Sequence, residues 1–431
     1  MTKRTKTKKA KKPRSIISKV LDDGTLVEVV HIPSEKKTRF AVFDRGYWRY
    51  EDDFVIDDKT VIPFSAHNNL LHHRVLYLPS GPVDYETEEE LVAEIQRYIH
   101  KYVHISPLFE KLASYYILLT WIYDRFHELP YLRLKGDPGS GKTRFLLIVG
   151  SLCYKPIFAS GASTVSPLFR MLDTIRGTLI LDEGDFRFSD ERAEIIKILN
   201  NGNARGFPVL RSEVTPWGEY NPHAFYVYGP KIVATRKSFD DAALESRCIT
   251  EEMGMEKLRA DIPINLSVEY ELEAASLRNK LLMFRFRKYG GAYLDGGLEG
   301  VEIEPRLKQV LTPLFSVIKD ESMREDLINL MTQYGENIAS YRGMQIEAQV
   351  LTIIFEIKKQ GDLTLSIPEI SRWFSDRFGE EYDNKITTRT IGKIVRESLQ
   401  LRPKKRGGVY MIPAEEYPKL EWLFKKYLVG E

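Results

Sequence analysis

The chain has 431 residues, enough for two or three domains with ample cores. Lysine and arginine number 63 against 61 acidic residues, and this net charge of +2 excludes a globally basic coat, so any phosphate-binding surface must be local. The two cysteines, Cys153 and Cys248, lie far apart in apolar surroundings. No disulfide framework or cysteine metal site is expected, and a reducing compartment is. No apolar run approaches a membrane span and no apolar signal core opens the chain, so neither a membrane partner nor a secretory leader is expected.

Residues 1–14 form a basic tail. Lys3, Arg4, Lys6, Lys8, Lys9, Lys11, Lys12 and Arg14 have no acid between them; such a block repels itself and can neutralise phosphates. Over 15–86 the pattern is short and alternating, and Leu26–Val30, Arg39–Phe43 and Val75–Leu78 read as strands of a small β-rich domain. Helical spacing follows: Leu91, Ile95, Tyr98 and Ile99 share a face, and Leu112–Ile122 reads as a buried helix. Strands and helices alternate from Leu132 to Ile249, which implies a parallel α/β sheet and an α/β core over 87–252. Helical spacing returns over 253–342. In the final segment, 343–431, helices are expected over Gln345–Lys359, Ile367–Phe378 and Thr387–Leu399. A short strand is expected at Leu363–Leu365, a basic turn at Lys404–Gly408 and a strand at Val409–Ile412.

Within the core, Gly136-Asp137-Pro138-Gly139-Ser140-Gly141-Lys142-Thr143 matches G-x-x-x-x-G-K-[ST] between the apolar run Tyr131–Leu134 and the helical run Phe145–Val149. The glycines let backbone N–H groups wrap phosphates, and the helix N-terminus adds favourable partial charge. Lys142 is placed to reach the β- and γ-phosphates and Thr143 to hold Mg²⁺, so binding of ATP with Mg²⁺ is expected. Thr178–Glu183 reads as a buried strand ending in two acids. Asp182 suits Mg²⁺ through water, and Glu183 suits orienting and deprotonating the attacking water; Asp185 is close enough for an exchange of roles.

A further buried strand with a polar end, Gly229–Arg236, leads into Asp240–Cys248. Together with the phosphate loop and the acid pair, these residues resemble the AAA+ ATPases over about 87–320. The resemblance implies that Thr235 is a sensor at a strand end and that Arg247 is an arginine finger acting in the site of a neighbouring subunit. It also implies a helical lid on which Arg306, in Glu304-Pro305-Arg306-Leu307, is a second sensor contacting the γ-phosphate in cis. Arg236 and Lys237 are rivals for the finger, and Arg278 for the second sensor. Within that family, Ile198–Arg211 and Phe225–Pro230 make the chain similar to minichromosome-maintenance-type and phage-type helicases of mobile genetic elements. This likeness implies a hexameric ring and a hairpin projecting Arg205 and Arg211 into a central pore, with Trp217 able to stack on a base. The N-terminal region departs from cellular replicative helicases in having no zinc-binding cysteine or histidine cluster.

The helix, strand and wing order of 345–413 resembles a winged helix. Thr387–Arg396 is then the recognition helix, with Thr388, Arg389, Lys393 and Arg396 outward, and the wing residues Lys404, Lys405 and Arg406 grip the DNA backbone. The expected architecture is α/β: an AAA+ P-loop sheet with a helical lid, preceded by a small β-rich domain and followed by a winged helix. Three readings stay open. One is an ATP-driven motor on single-stranded or forked DNA, a replicative helicase of a mobile element. The second is a DNA-bound switch such as an initiator, loader or transposition regulator. The third is a ligand-gated transcription factor, against which the Asp182–Glu183 pair argues. A cytoplasmic, nucleoid-associated location is expected.

Overall fold

The computed structural model describes every residue except 1–12, 162, 183–188, 213–221, 240, 256, 292–297, 299, 302, 304, 344–345, 362–364, 380–385, 428 and 431. Contacts divide the chain into two units, 1–327 and 328–431. No helix among the described residues is long and apolar enough to cross a membrane.

The N-terminal alternation resolves into seven short strands, β1 (Arg14–Ile16), β2 (Ser18–Val20), β3 (Leu26–Ile32), β4 (Lys37–Asp44), β5 (Tyr47–Glu51), β6 (Phe54–Ile56) and β7 (Lys59–Pro63). Strands β2-β3-β4-β5 form an antiparallel sheet, and β1-β7-β6 a smaller mixed one. The alternate residues Val27, Val29, Phe40 and Val42 are buried in one cluster with Ile17 and Val61. Helix α1 (Asn69–His72) follows, capped by Asn68. The strand expected at Val75–Leu78 is reduced to a single antiparallel bridge, Leu76 to Ile157. It covers the edge of the central sheet, where exposed N–H and C=O groups would otherwise invite pairing.

Two capped helices precede that sheet. Thr87 caps α2 (Glu88–Tyr102) and Ser106 caps α3 (Pro107–Ile122), whose first residue is a proline suited to that place. Then come β8 (Tyr131–Lys135), α4 (Lys142–Gly150), β9 (Ile157–Ser160), α5 (Val165–Ile175), β10 (Leu179–Asp182) and α6 (Ser189–Asn201). A hairpin of β11 (Val209–Arg211) and β12 (His223–Phe225) leads into β13 (Lys231–Thr235), α7 (Ala242–Glu245) and β14 (Cys248–Glu252). The sheet order is β14-β8-β13-β10-β9 and all pairs are parallel, as the alternation of strands and helices implies. Strand β13 therefore lies between β8 and β10, and Lys135, Thr235 and Asp182 end on the same side of the sheet.

The region beyond the sheet holds α8 (Glu269–Lys288), α9 (Pro305–Phe315) and α10 (Glu321–Gly343), the last spanning the division between the units. Helix α8 packs on α2 and α3, and α9 on α3. Arg285 of α8 is 1% exposed and donates from Nε to Glu28 of β3 at 2.7 Å, while Nη1 and Nη2 reach the carboxylate of Asp124 at 2.8 and 2.9 Å. Glu28, 3% exposed, also accepts from the Tyr154 hydroxyl at 2.8 Å and lies 3.7 Å from Lys155 Nζ. The N-terminal strands are thus joined to the sheet through buried charge as well as apolar contact. Replacing Arg285 by methionine leaves the buried Glu28 and the partly buried Asp124 short of a partner and is expected to cost about 3–5 kcal/mol. Urea denaturation monitored by circular dichroism measures it; a loss below about 1 kcal/mol would mean that the pair is not desolvated as described.

The second unit contains α11 (Ile346–Lys359), α12 (Ile367–Phe378), α13 (Thr388–Lys393), β15 (Lys404–Arg406), β16 (Val409–Met411) and α14 (Tyr417–Lys426). Ile353, Ile354, Ile370, Phe374, Ile391, Val395 and Leu423 share one core. The helix expected over Thr387–Leu399 is capped by Thr387, is α-helical to Lys393 and continues as one π-helical turn, closed by Leu399 N–H donating to Ile394 O at 2.9 Å. The basic turn includes β15, paired with β16 in a hairpin. Of the expected strand Leu363–Leu365, only Leu365 is described; its carbonyl accepts from Ile412 N–H at 2.8 Å.

Candidate nucleotide site

Strand β8 ends at Lys135, and the next six residues turn directly into α4, whose first two residues complete the loop motif. Gly136 is required by close approach: a Cβ there would sit 2.5 Å from the Met253 carbonyl oxygen. Gly141 caps α4 with φ of +96°, a conformation that other residues adopt at a cost. The first-turn N–H groups of α4 therefore open onto the loop, where an anion is favoured. Lys142 Nζ lies along the loop, donating to Gly136 O at 2.6 Å, Asp137 O at 2.7 Å and Ser140 Oγ at 3.3 Å.

Beside the loop, Thr143 Oγ1 donates to Asp182 Oδ2 at 2.7 Å. A hydroxyl and a carboxylate brought together in this way are hard oxygen donors of the kind that bind Mg²⁺. Thr235, at the end of β13, is 1% exposed, and its Oγ1 has no hydrogen-bond partner among the described residues. These groups line a cavity of about 360 Å³ with Pro138, Ala234 and Arg236. A second cavity, of about 720 Å³, borders the same loop glycines and is walled by Tyr102, Val103, Met253, Leu258, Ile262 and Ile264. Two cavities of mixed polar and apolar lining that meet at a phosphate loop suit a nucleotide. Glu183 and Asp185 lie outside the described residues.

The segment that touches the loop from the other side is Met253–Ile264. Gly254 has φ of +89° and packs against Ser140, while Arg144 donates to the carbonyls of Pro263 and Ile264. Sequence patterning had no means of finding it, since nothing periodic marks the segment. Ser106 and Glu251, hydrogen-bonded at 2.7 and 2.9 Å in the wall of the larger cavity, were likewise invisible.

Arg247 and Arg306 are brought together, but not at the loop. Arg247 directly precedes β14, and its carbonyl accepts from Tyr131 N–H at 2.8 Å at the start of β8. The phosphate loop leaves the other end of that strand, about 15 Å away at 3.3 Å per residue. Arg306 opens α9, whose Gln309 donates to Glu128 Oε1 at 2.8 Å just before β8. Burial raises the pKa of Glu128, and the charges of Arg306 and Arg247 oppose that rise; burial and then the Arg306 charge lower that of Arg247. The cis contact expected of Arg306 is therefore not the one it makes here, because α9 packs on α3 rather than over the loop. Its rival Arg278 is buried, donates to Ser151 O at 3.0 Å beyond the far end of α4, and lies over the Tyr77 ring. Arg236 does line the phosphate-loop cavity, whereas Lys237 is exposed and does not.

The hairpin arginines are engaged within the chain. Arg205 donates to Asp124 O and packs over the Tyr228 ring; Arg211 pairs with Glu194 and lies over Phe169. Neither is positioned as a free cation on a projecting tip, and Trp217 lies outside the described residues. In the second unit Arg389, Lys393 and Arg396 are exposed at helical spacing, near the exposed hairpin residues Lys404, Lys405 and Arg406. Arg396 lies over the Tyr410 ring at 5.8 Å, Lys404 is 3.3 Å from Glu415, and Lys393 is 3.8 Å from Glu397.

No family model matches the sequence, and no curated protein matches it. Among solved structures, the chain is similar to one described as SCCmec type IV Cch, an active helicase, with a TM-score of 0.45 and 10% identity over 95% of this chain and 80% of that one. It is similar to the apo C-terminal region of NrS-1 with a TM-score of 0.39 and 10% identity, over 90% of this chain and 96% of that one. It is also similar to the replication initiator DnaA bound to AMPPCP and single-stranded DNA, with a TM-score of 0.23 and 13% identity, over 80% and 98% of the two chains. At identities this low, the roles of residues rest on this chain alone.

Proposed function

We propose that this chain is an ATP-hydrolysing, DNA-associated AAA+ motor that works as a ring, taken to be a hexamer. The observation that carries the reading is the phosphate loop at the end of a parallel strand with Thr143 held 2.7 Å from Asp182. In this reading Lys142 turns from its loop carbonyls to the β- and γ-phosphates, and the α4 N–H groups receive the same oxygens. Thr143 and Asp182 would hold Mg²⁺, which would supply neutralisation of phosphate charge. Thr235 offers its hydroxyl, which has no partner among the described residues, to the γ-phosphate or the attacking water, and Glu183 accepts that water's proton. Arg247 lies too far from its own loop to serve it, which supports action on the site of a neighbouring copy. Arg306, beside Arg247, belongs on that same face, a revision of its expected role in cis.

The second unit fits a winged helix that holds DNA through Arg389, Lys393, Arg396 and the Lys404–Arg406 hairpin. Changing Arg389, Lys393 and Arg396 together to alanine is expected to weaken DNA affinity and to flatten the slope of log affinity against log salt by about 2–3, roughly 0.9 per lost phosphate contact. An unchanged slope would remove this helix from the DNA interface.

The deciding experiment is steady-state ATP hydrolysis with and without single-stranded DNA, run beside unwinding of a forked duplex. Strong stimulation with strand separation is expected. Slow hydrolysis indifferent to DNA, together with tight ATP-dependent DNA binding, would replace the motor with a DNA-bound switch.

A further inference from the structure

Arg247 follows α7, and α7 is well fixed: Arg133 of β8 grips Glu245, and Asp241 Oδ1 accepts from Ala243 N–H at 2.8 Å at the helix start. That anchorage sets the backbone, not the plane of the guanidinium beyond it. Arg247 Nε is buried without a hydrogen-bond partner. Among the described residues the guanidinium makes one hydrogen bond, from Nη1 to Oδ1 of Asn200.

Asn200 is itself held from the other end. Its Nδ2 donates to Asp241 Oδ2 at 2.7 Å, so a single planar amide accepts from Arg247 and donates to the residue that caps α7. This bridge needs a donor and an acceptor at a fixed separation, which a side-chain amide supplies. Asn200 sits in the last turn of α6, and α6 begins one short segment after Asp182. One end of that helix thus follows the strand that carries the magnesium-binding acid, and the other touches the arginine at the opposite edge of the sheet.

We propose that Asn200 is a positioning residue for Arg247, setting the direction in which α6 and α7 present this arginine to the phosphate site of a neighbouring copy. The proposal rests on the trans reading of Arg247 given above. Asn200 touches no nucleotide; it acts by alignment, and misalignment of a reacting group by about an ångström is enough to lose on the order of a hundredfold in rate.

The test uses the full chain in mixtures of variants. Asn200→Ala is expected to lower ATP turnover about tenfold to a hundredfold while leaving the affinity for a fluorescent ATP analogue within about twofold, since the phosphate loop is untouched. The double variant Asn200→Asp with Asp241→Asn reverses the polarity of the bridge yet keeps both hydrogen bonds and the charge, and is expected to restore most of the turnover. Mixing Asn200→Ala with Lys142→Ala subunits is expected to raise turnover above either alone. One partner then supplies an intact phosphate site and the other a well-aligned arginine. Asn200→Ser, too short to bridge, replaces the alanine variant should that one fail to fold. Wild-type turnover in Asn200→Ala overturns the proposal. So does a lack of recovery in its mixtures when Arg247→Ala mixtures do recover, because Asn200 then acts inside its own subunit. If neither mixture recovers, the trans reading of Arg247 fails first.

Discussion

Lys142→Ala is expected to give a folded protein whose ATP turnover is lower by on the order of 10²–10³. The fold should survive because Phe145, Leu146, Ile148 and Val149 anchor α4 in the core, while Lys142 Nζ donates to loop carbonyls and to Ser140. Turnover should fall because phosphoryl transfer depends on positioning and on charge placed against the phosphate oxygens, and among the described residues no other lysine lines this cavity. Phosphate release at saturating ATP and Mg²⁺ measures the effect, and thermal melting controls for folding. Turnover within twofold of the natural protein would separate the loop from catalysis altogether.

Arg247→Ala carries the other large effect. A finger supplied in trans is worth about 10³–10⁵ in rate, so turnover should fall at least about a thousandfold. Nucleotide affinity should hardly move, since the arginine sits at the opposite end of β8 from the loop of its own subunit. Mixing Arg247→Ala with Lys142→Ala subunits should recover part of the activity, as each lacks what the other retains. The natural protein should also lose specific activity on dilution, because separated subunits have no partner arginine. A variant that binds ATP weakly and is not rescued at any mixing ratio would place Arg247 in its own site or in the fold.

The parts of this molecule legible in the sequence are those in which chemistry and neighbourhood coincide along the chain. The phosphate loop is eight consecutive residues between a strand and a helix, so its local shape follows from its own glycines. Asp182 was legible because an apolar run delivers an acid at its end. The helices over Ile367–Phe378 and from Thr388 were legible through spacing and caps. What could not be read depends on residues far apart. Arg306 has a sequence setting suited to a nucleotide contact, yet α9 packs on α3 and reaches Glu128 just before β8, at the end of that strand opposite the loop. Arg205 reads as a free cation until the Asp124 carbonyl and the Tyr228 ring are seen beside it. Met253–Ile264 reaches the loop through carbonyls, which no side-chain pattern reports. Strands β1, β2 and β6 have three residues each, too few for alternation to mark them, and β5 and β7 are mostly exposed, so no buried face stands out along them.

Glu28, Arg285 and Asp124 come from an N-terminal strand, a helix more than two hundred residues later, and the turn after α3. Together with Lys155 beside Glu28, their charges sum to zero only when all four are present. The first sixty or so residues are consequently not an attachment that recombination can trade for another recognition module. A descendant that lost them would inherit a core with an unmatched charge in its interior, and a donor sequence would have to bring its own buried acid in register.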